Sequence, residues 1–261
     1  WRWVPRDLGK RYVFINIPEF RFRVVSNGKT IHQERIVTGS PQHKTPIFSD
    51  QMETIVFNPY WNVPQSILVN EIIPAERNNP GYVDRNNLEI IWQNRETVDA
   101  FMVDWDQVNP NKLFLRQRPG RGNALGQVKF LFPNKHSVYM HDTPTKHLFN
   151  RAIRAYSHGC MRVRNPLQFA ELLLSDQGWS RDRIDRTLVT AEDEHVPLEH
   201  KLPIHITYFT AWVDEDGQVL GYRDVYGYDR QVRLALHLDN ANNRIAANDE
   251  EFEVGENGLR N

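Results

Sequence analysis

The sequence predicts a mainly β domain with a few helices (an α+β fold), interrupted by an inserted subdomain, and three observations carry that expectation. Segments with strand periodicity open and close the chain, at residues 12–37, 54–57, 128–140 and 204–222. Asn27-Gly28 and Asp216-Gly217 stand between such segments, and these dipeptides supply the positive φ angles that tight hairpin turns need. From about residue 66 to 121 the texture changes to a helical period, loop-forming dipeptides and isolated tryptophans. A chain of 261 residues is long enough to bury a core, removing roughly 70–75% of its unfolded surface from water.

The first strand is the apolar run 12–17; Phe20, Phe22 and Val24 then alternate with Arg21 and Arg23, the mark of a half-buried strand. Ile31, Arg35 and Val37 continue a returning strand, and residues 38–46 have the composition of an exposed loop. A further strand at 54–57 stops at Asn58-Pro59. In the insertion, Ile67, Val69, Ile72 and Ile73 keep a helical period up to Pro74, and scattered aromatics such as Trp92 and Trp105, rather than a sheet, are expected to pack the rest. Residues 128–132 and 137–140 return to strand texture. Asn165-Pro166 opens a helix with Asn as N-cap, Pro at the first position and Leu167, Ala170, Leu173 and Leu174 as its buried stripe. Ser180 caps a second helix to about Val189, with Asp182 in its first turn. A catalytic domain over 1–238 is expected, with 66–121 as its capping insertion and 239–261 as a poorly ordered acidic, Asn-rich tail.

Formal net charge is −1, which disfavours nucleic-acid or anionic-membrane binding, since both need a basic surplus. The chain carries no run of 18 apolar residues, so no membrane-spanning segment is expected. It begins at Trp1, which reads as a processed or excised product. With a single cysteine it can form neither an intrachain disulfide nor a thiolate-rich zinc site.

Chemistry concentrates near that cysteine. His136, His141, His147 and His158 fall within 23 residues leading up to Cys160. A histidine at a strand end, a loop, then a glycine-flanked cysteine suits a thiol nucleophile, because an imidazole within reach lowers the thiol pKa and takes its proton. Gly159 lets the backbone turn so that consecutive N–H groups can face an oxyanion.

His141-Asp-Thr-Pro144 followed by Ser157-His-Gly-Cys-Met-Arg162 resembles the signature of the L,D-transpeptidase catalytic domain, the YkuD-type family. The segments 1–12, 16–18, 45–47, 58–64 and 79–82 are similar to its larger YcbB-like branch, in which an insertion caps the catalytic sheet. The resemblance covers roughly residues 1–230. It implies a β-rich catalytic fold in which Cys160 attacks a peptidoglycan stem peptide between its third residue and the terminal D-Ala. The thioester is then resolved by an amine to give a 3→3 cross-link. His141 maps onto the general base, Ser157, His158 and Gly159 onto the turn before the nucleophile, and Arg162 onto the basic position after it. The resemblance implies the backbone N–H groups of Gly159 and Cys160 as the oxyanion donors. Tyr139 is a candidate hydroxyl near the oxyanion; Trp61, Arg162 and Asp142 are candidate substrate contacts. The resemblance further implies no cofactor or metal, donor and acceptor stem peptides as partners, carbapenems as covalent inhibitors, a monomer, and the periplasm of a Gram-negative bacterium.

Alternatives stand beside this. Hydrolysis of the thioester would make the chain a carboxypeptidase or endopeptidase, and a protein amine as acceptor would make it an anchoring enzyme. A zinc site built from His141, His147, His158 and Cys160, or a wall-binding scaffold without activity, would lie outside acyl transfer altogether.

Overall fold

The computed structural model describes residues 4–92, 96–214 and 216–238. The chain divides into two compact units, Trp1–Phe209 and Thr210–Asn261. The expected acidic tail, 239–261, lies outside the described residues.

In the first unit, β1 (Arg11–Asn16) and β2 (Arg21–Ser26) form a hairpin, and β2 turns through Asn27 (φ 49°) and Gly28 (φ 77°) into β3 (Lys29–Gly39). This is the predicted Asn-Gly turn. Phe20 is not part of the strand pattern: it sits at φ 55° in the preceding turn and is buried there. β4 (Phe48–Phe57) is longer than its apolar end suggests: its first half, 48–52, is mostly polar in sequence and alternates only in exposure.

The inserted region leaves after Asn58 and begins with β5 (Trp61–Asn62). Helical turns follow at Gln65–Ile67, Leu68–Ile72 and Ile73–Asn78, then Tyr82–Arg85. The expected stop at Pro74 does not occur. Pro lacks an N–H and crowds the carbonyl four residues earlier, and the chain absorbs both by widening into a π-turn at Leu68–Ile72 directly before it. A sheet then forms where none was expected, from β6 (Leu88–Ile91), β7 (Thr97–Val98) and β8 (Phe114–Gln117), in the order β5-β8-β6-β7. Leu68, Ile72, Ile73, Val83, Leu88, Ile90 and Leu115 make its core, with Trp61 and Trp105 packed on the margin. Aliphatic residues, not aromatics, therefore hold it together; strands of two to four residues are too short to show a period.

The chain returns through β9 (Val128–Leu131), β10 (Met140–His141), β11 (Ala155–Ser157), β12 (Met161–Val163) and β13 (Glu194–Thr207). The order is β11-β3-β12-β10-β9-β4-β13-β1-β2, and β2 also pairs with β3. Eight strands thus close into a circuit, so among the described residues this sheet has a free edge only along β11. The strand expected at 137–140 shrinks to Met140–His141, because Ser137 is held at φ 55°.

The helix Pro166–Leu174 begins with Pro at its first turn as expected, but Asn165 does not cap it: its amide is drawn to Glu34 Oε2. Phe169, rather than Leu167, enters the core, meeting Phe22 at 4.7 Å and Phe130 at 4.6 Å between ring centroids. Burial of each such ring is worth roughly 2–3 kcal/mol. Ser180 does cap the helix Arg181–Val189, accepting from Arg183 N. In the second unit, β14 (Ala211–Val213) and β15 (Val219–Gly221) form a hairpin around Gly217, and a helix spans Tyr228–Ala235.

His32 stacks on Phe169 and lies against Phe22, and its buried Nε2 has no hydrogen-bond partner. Burial lowers its pKa against the opposing pull of Glu34. The folded state therefore binds the proton less readily than the unfolded chain, and stability should fall as pH drops below about 6.5. Thermal melts of the His32→Phe variant should show a shallower loss of Tm from pH 7 to pH 5; an unchanged slope would refute the assignment.

Candidate active site

The two short strands β10 and β12 lie side by side, parallel, with Met140 opposite Met161 and His141 opposite Arg162. Met140 and Met161 are fully buried. Because side chains alternate, His141 and Arg162 take the other face, together with Tyr139 and Cys160 two residues before each. The ladder continues through Met161 N–H, which donates to Tyr139 O at 3.0 Å. The rings of Tyr139 and His141 meet edge-on at 5.7 Å.

His141 is buried, and its Nδ1–H donates to the backbone carbonyl of Asp142. That bond fixes the tautomer and leaves the Nε2 lone pair as the basic site. Burial pushes the imidazole pKa down to about 3, the charges of Arg162 and Lys146 acting in the same direction and the Asp142 carbonyl against it. Burial likewise pushes the Cys160 thiol up to about 11, opposed by the backbone N–H of Tyr139 and by the charge of Arg162. The expectation of a thiol pKa lowered by its histidine is thus reversed. Both shifts favour the neutral thiol and the neutral imidazole. Tyr139 keeps its phenol proton too, its pKa raised by burial and by Cys160.

The turn that carries Cys160 is pinned from three sides. Gly159 sits at φ +110°, a conformation side chains rarely adopt. Ser157 Oγ accepts from Gly159 N at 3.2 Å and donates to Cys160 O. Thr45 Oγ1, fully buried, donates to Gly159 O at 2.8 Å and accepts from Gly39 N. These bonds correct the oxyanion expectation. Gly159 N–H is turned inward onto Ser157. In the trans peptide that follows, the carbonyl points at Thr45, so Cys160 N–H points the opposite way.

The Asp142 carboxylate is engaged by the protein's own groups. It is buried and accepts from Thr143 N (2.7 Å), Gln127 N (3.0 Å) and Lys146 Nζ, and a Cβ on Gly126 would lie 2.3 Å from Oδ2. Trp61 is half-buried and packs against the insertion's core. Arg162 donates to Thr145 Oγ1 at 3.0 Å and remains partly exposed beside Cys160. His158 is exposed, its Nε2 3.2 Å from Glu71 Oε1 and its ring 4.6 Å from that of His43. His147 is exposed in the turn Lys146–Asn150 and His136 packs on Phe48, so the four histidines are dispersed. Among the described residues no three metal-ligating side chains converge.

Two contributors escaped the sequence. Thr45 looks like an ordinary loop residue, and its role depends on a contact 114 positions away. Arg154, buried, binds the carbonyls of Ile36, Phe20 and Arg151 and fastens the start of β11 to β3; burial lowers its pKa to about 10.

Comparison with known proteins follows the same line. A family model described as the L,D-transpeptidase catalytic domain (YkuD) matches residues 10–190. A Haemophilus influenzae protein provisionally named an L,D-transpeptidase is 34% identical over 224 residues, 85% of this chain and 45% of that protein. The chain therefore spans less than half the length of this curated relative. Among solved structures, an L,D-transpeptidase from Mycobacterium smegmatis aligns with 76% of this chain and 58% of its own at 14% identity (TM-score 0.33). L,D-transpeptidase 3 from Mycobacterium tuberculosis, with a faropenem-derived adduct, aligns with 76% and 60% at 12% identity (TM-score 0.36).

Proposed function

Because the chain belongs to the L,D-transpeptidase catalytic domain family, we propose that it transfers peptidoglycan stem peptides through a thioester on Cys160, with His141 as general base. The observation that carries this reading is the shared face of β10 and β12, where a histidine with its Nδ1 committed to a backbone carbonyl stands beside the cysteine strand.

His141 Nε2 takes the thiol proton as Sγ bonds to the carbonyl carbon between diaminopimelate and D-Ala. Cys160 N–H donates to the oxyanion that forms, and Arg162 offsets the negative charge on sulfur. When the intermediate collapses, the C–N bond breaks, His141 returns the proton to the leaving amine, and D-Ala departs. The side-chain amine of a second stem then attacks the thioester, passing its proton to His141 and releasing the thiol. Attack by water would give a tripeptide instead. We further propose that the insertion acts as a lid over this reaction, a reading supported by its reach from β5 to the contact between Glu71 and His158. The size and position of the insertion, between β4 and β9, favour the YcbB-like branch, and with it a periplasmic site of action. Among the described residues no helix is long and apolar enough to cross a membrane.

Mass spectrometry of products from a disaccharide-tetrapeptide tests the reading. Cross-linked dimer with free D-Ala is expected. Tripeptide alone would make the enzyme a hydrolase, and unchanged substrate would refute acyl transfer on this stem.

A carbapenem should also acylate Cys160: the strained lactam C–N bond opens onto sulfur, so intact protein gains the whole mass of the drug. With His141 and Cys160 both neutral between their displaced pKa values, the acylation rate should stay flat from about pH 5 to about pH 9. A tenfold rise per pH unit would instead mean that a pre-formed thiolate is required.

A further inference from the structure

Three segments distant in sequence meet at His158, two residues before the nucleophile. His158 Nε2 lies 3.2 Å from Glu71 Oε1. Glu71 belongs to the insertion, in the π-turn Leu68–Ile72 that Pro74 imposes. Irregular turns of this kind are frequent at functional positions, since they re-aim a side chain that a regular helix would place elsewhere. On the other side, the His43 ring packs on the His158 ring at 4.6 Å. His43 belongs to the β3–β4 loop, which is held close to β3: a Cβ on Gly39 would lie 2.1 Å from His43 O. The same loop supplies Thr45, the partner of Gly159 O. His158 is therefore backed by a fixed surface and presents Nε2 to the insertion.

From this geometry we infer that Glu71 and His158 form a latch by which the insertion closes over Cys160, making both of them positioning residues; the inference rests on the lid reading of the insertion. The side chains are 55% and 42% exposed. A pair this exposed is weak, which is what a lid needs if it must release each product. While the latch is shut, the thioester is screened from water until an amine arrives. When it opens, the stems exchange. His158 thus acts through the insertion and not on the scissile bond.

The test exploits the single cysteine, since labelling of Cys160 by a bulky maleimide reads access to the site without any turnover. Glu71→Ala and His158→Ala should each speed bulky labelling about two- to fivefold, the range an exposed pair can supply. The double variant should label no faster than either single one, and Glu71→Gln, which keeps an acceptor oxygen, should stay near wild type. Labelling by the small reagent iodoacetamide should be unchanged in Glu71→Ala, which shows that thiol reactivity itself is untouched. With tetrapeptide substrate, the same variants should raise the tripeptide-to-dimer ratio while their Tm stays that of the parent. Equal bulky labelling in all variants, or additive effects in the double variant, would overturn the latch. Absence of any D-Ala release by the wild type would overturn the proposed reaction instead, and the labelling result would still decide the latch.

Discussion

Replacing Cys160 by alanine is expected to abolish D-Ala release, by at least ~10⁴-fold, because the covalent step has no substitute atom. The fold should survive. Cys160 is only partly buried, and the bonds that pin its turn come from Ser157, Thr45 and the backbone. The variant's melting temperature should match the parent's, and it should show no mass gain with a carbapenem. Turnover surviving in this variant would end the assignment of Cys160. A collapse in Tm would mean that the thiol holds the fold together.

The second large effect falls on Asp142. Removal of its carboxylate in Asp142→Ala strands the N–H groups of Thr143 and Gln127, while the half-exposed Lys146 ammonium keeps water and the Arg164 carbonyl. Leaving a buried N–H without its acceptor costs about 1–3 kcal/mol. The carboxylate makes its bonds to those three groups, whereas His141 is oriented by the Asp142 carbonyl. Activity in Asp142→Asn should therefore decline only as far as stability does. If Asp142 were the third member of a triad, the same variant would keep its Tm and lose activity by about 10⁴-fold. Urea denaturation and kcat measured on both variants separate the two roles.

Local signals were legible wherever one residue type answers one local need. Asn27-Gly28 supplied two positive φ angles, Pro166 opened a helix, and Ser180 capped one. Asn165 failed as a cap because Glu34, 131 positions away, competes for its side chain. The insertion's sheet was hidden because two-residue strands have no period, and its Trp residues drew attention that the aliphatic core had earned. At the site, Cys160 and His141 could be named from their motif. Their protonation could not, since burial sets it, and burial comes from the whole assembly of strands. Nor could the direction of Gly159 N–H, which is decided by one serine hydroxyl. Glu71 had no signal of its own, being one carboxylate among 33 acidic residues.

The closed circuit of strands also governs how the molecule can come apart. β10 and β12 are only two and three residues long, too short to persist at a sheet edge, yet inside the ring neither can fray unless a neighbour is torn away. The insertion has a separate apolar core, so it can unfold and refold as a cooperative unit while the ring stays shut. Amide protons of the ring should then exchange only through global opening, and those of the insertion through a cheaper local one. Mutational change in the insertion is correspondingly cheap, since its core can be repacked without disturbing the ring that holds β10 and β12.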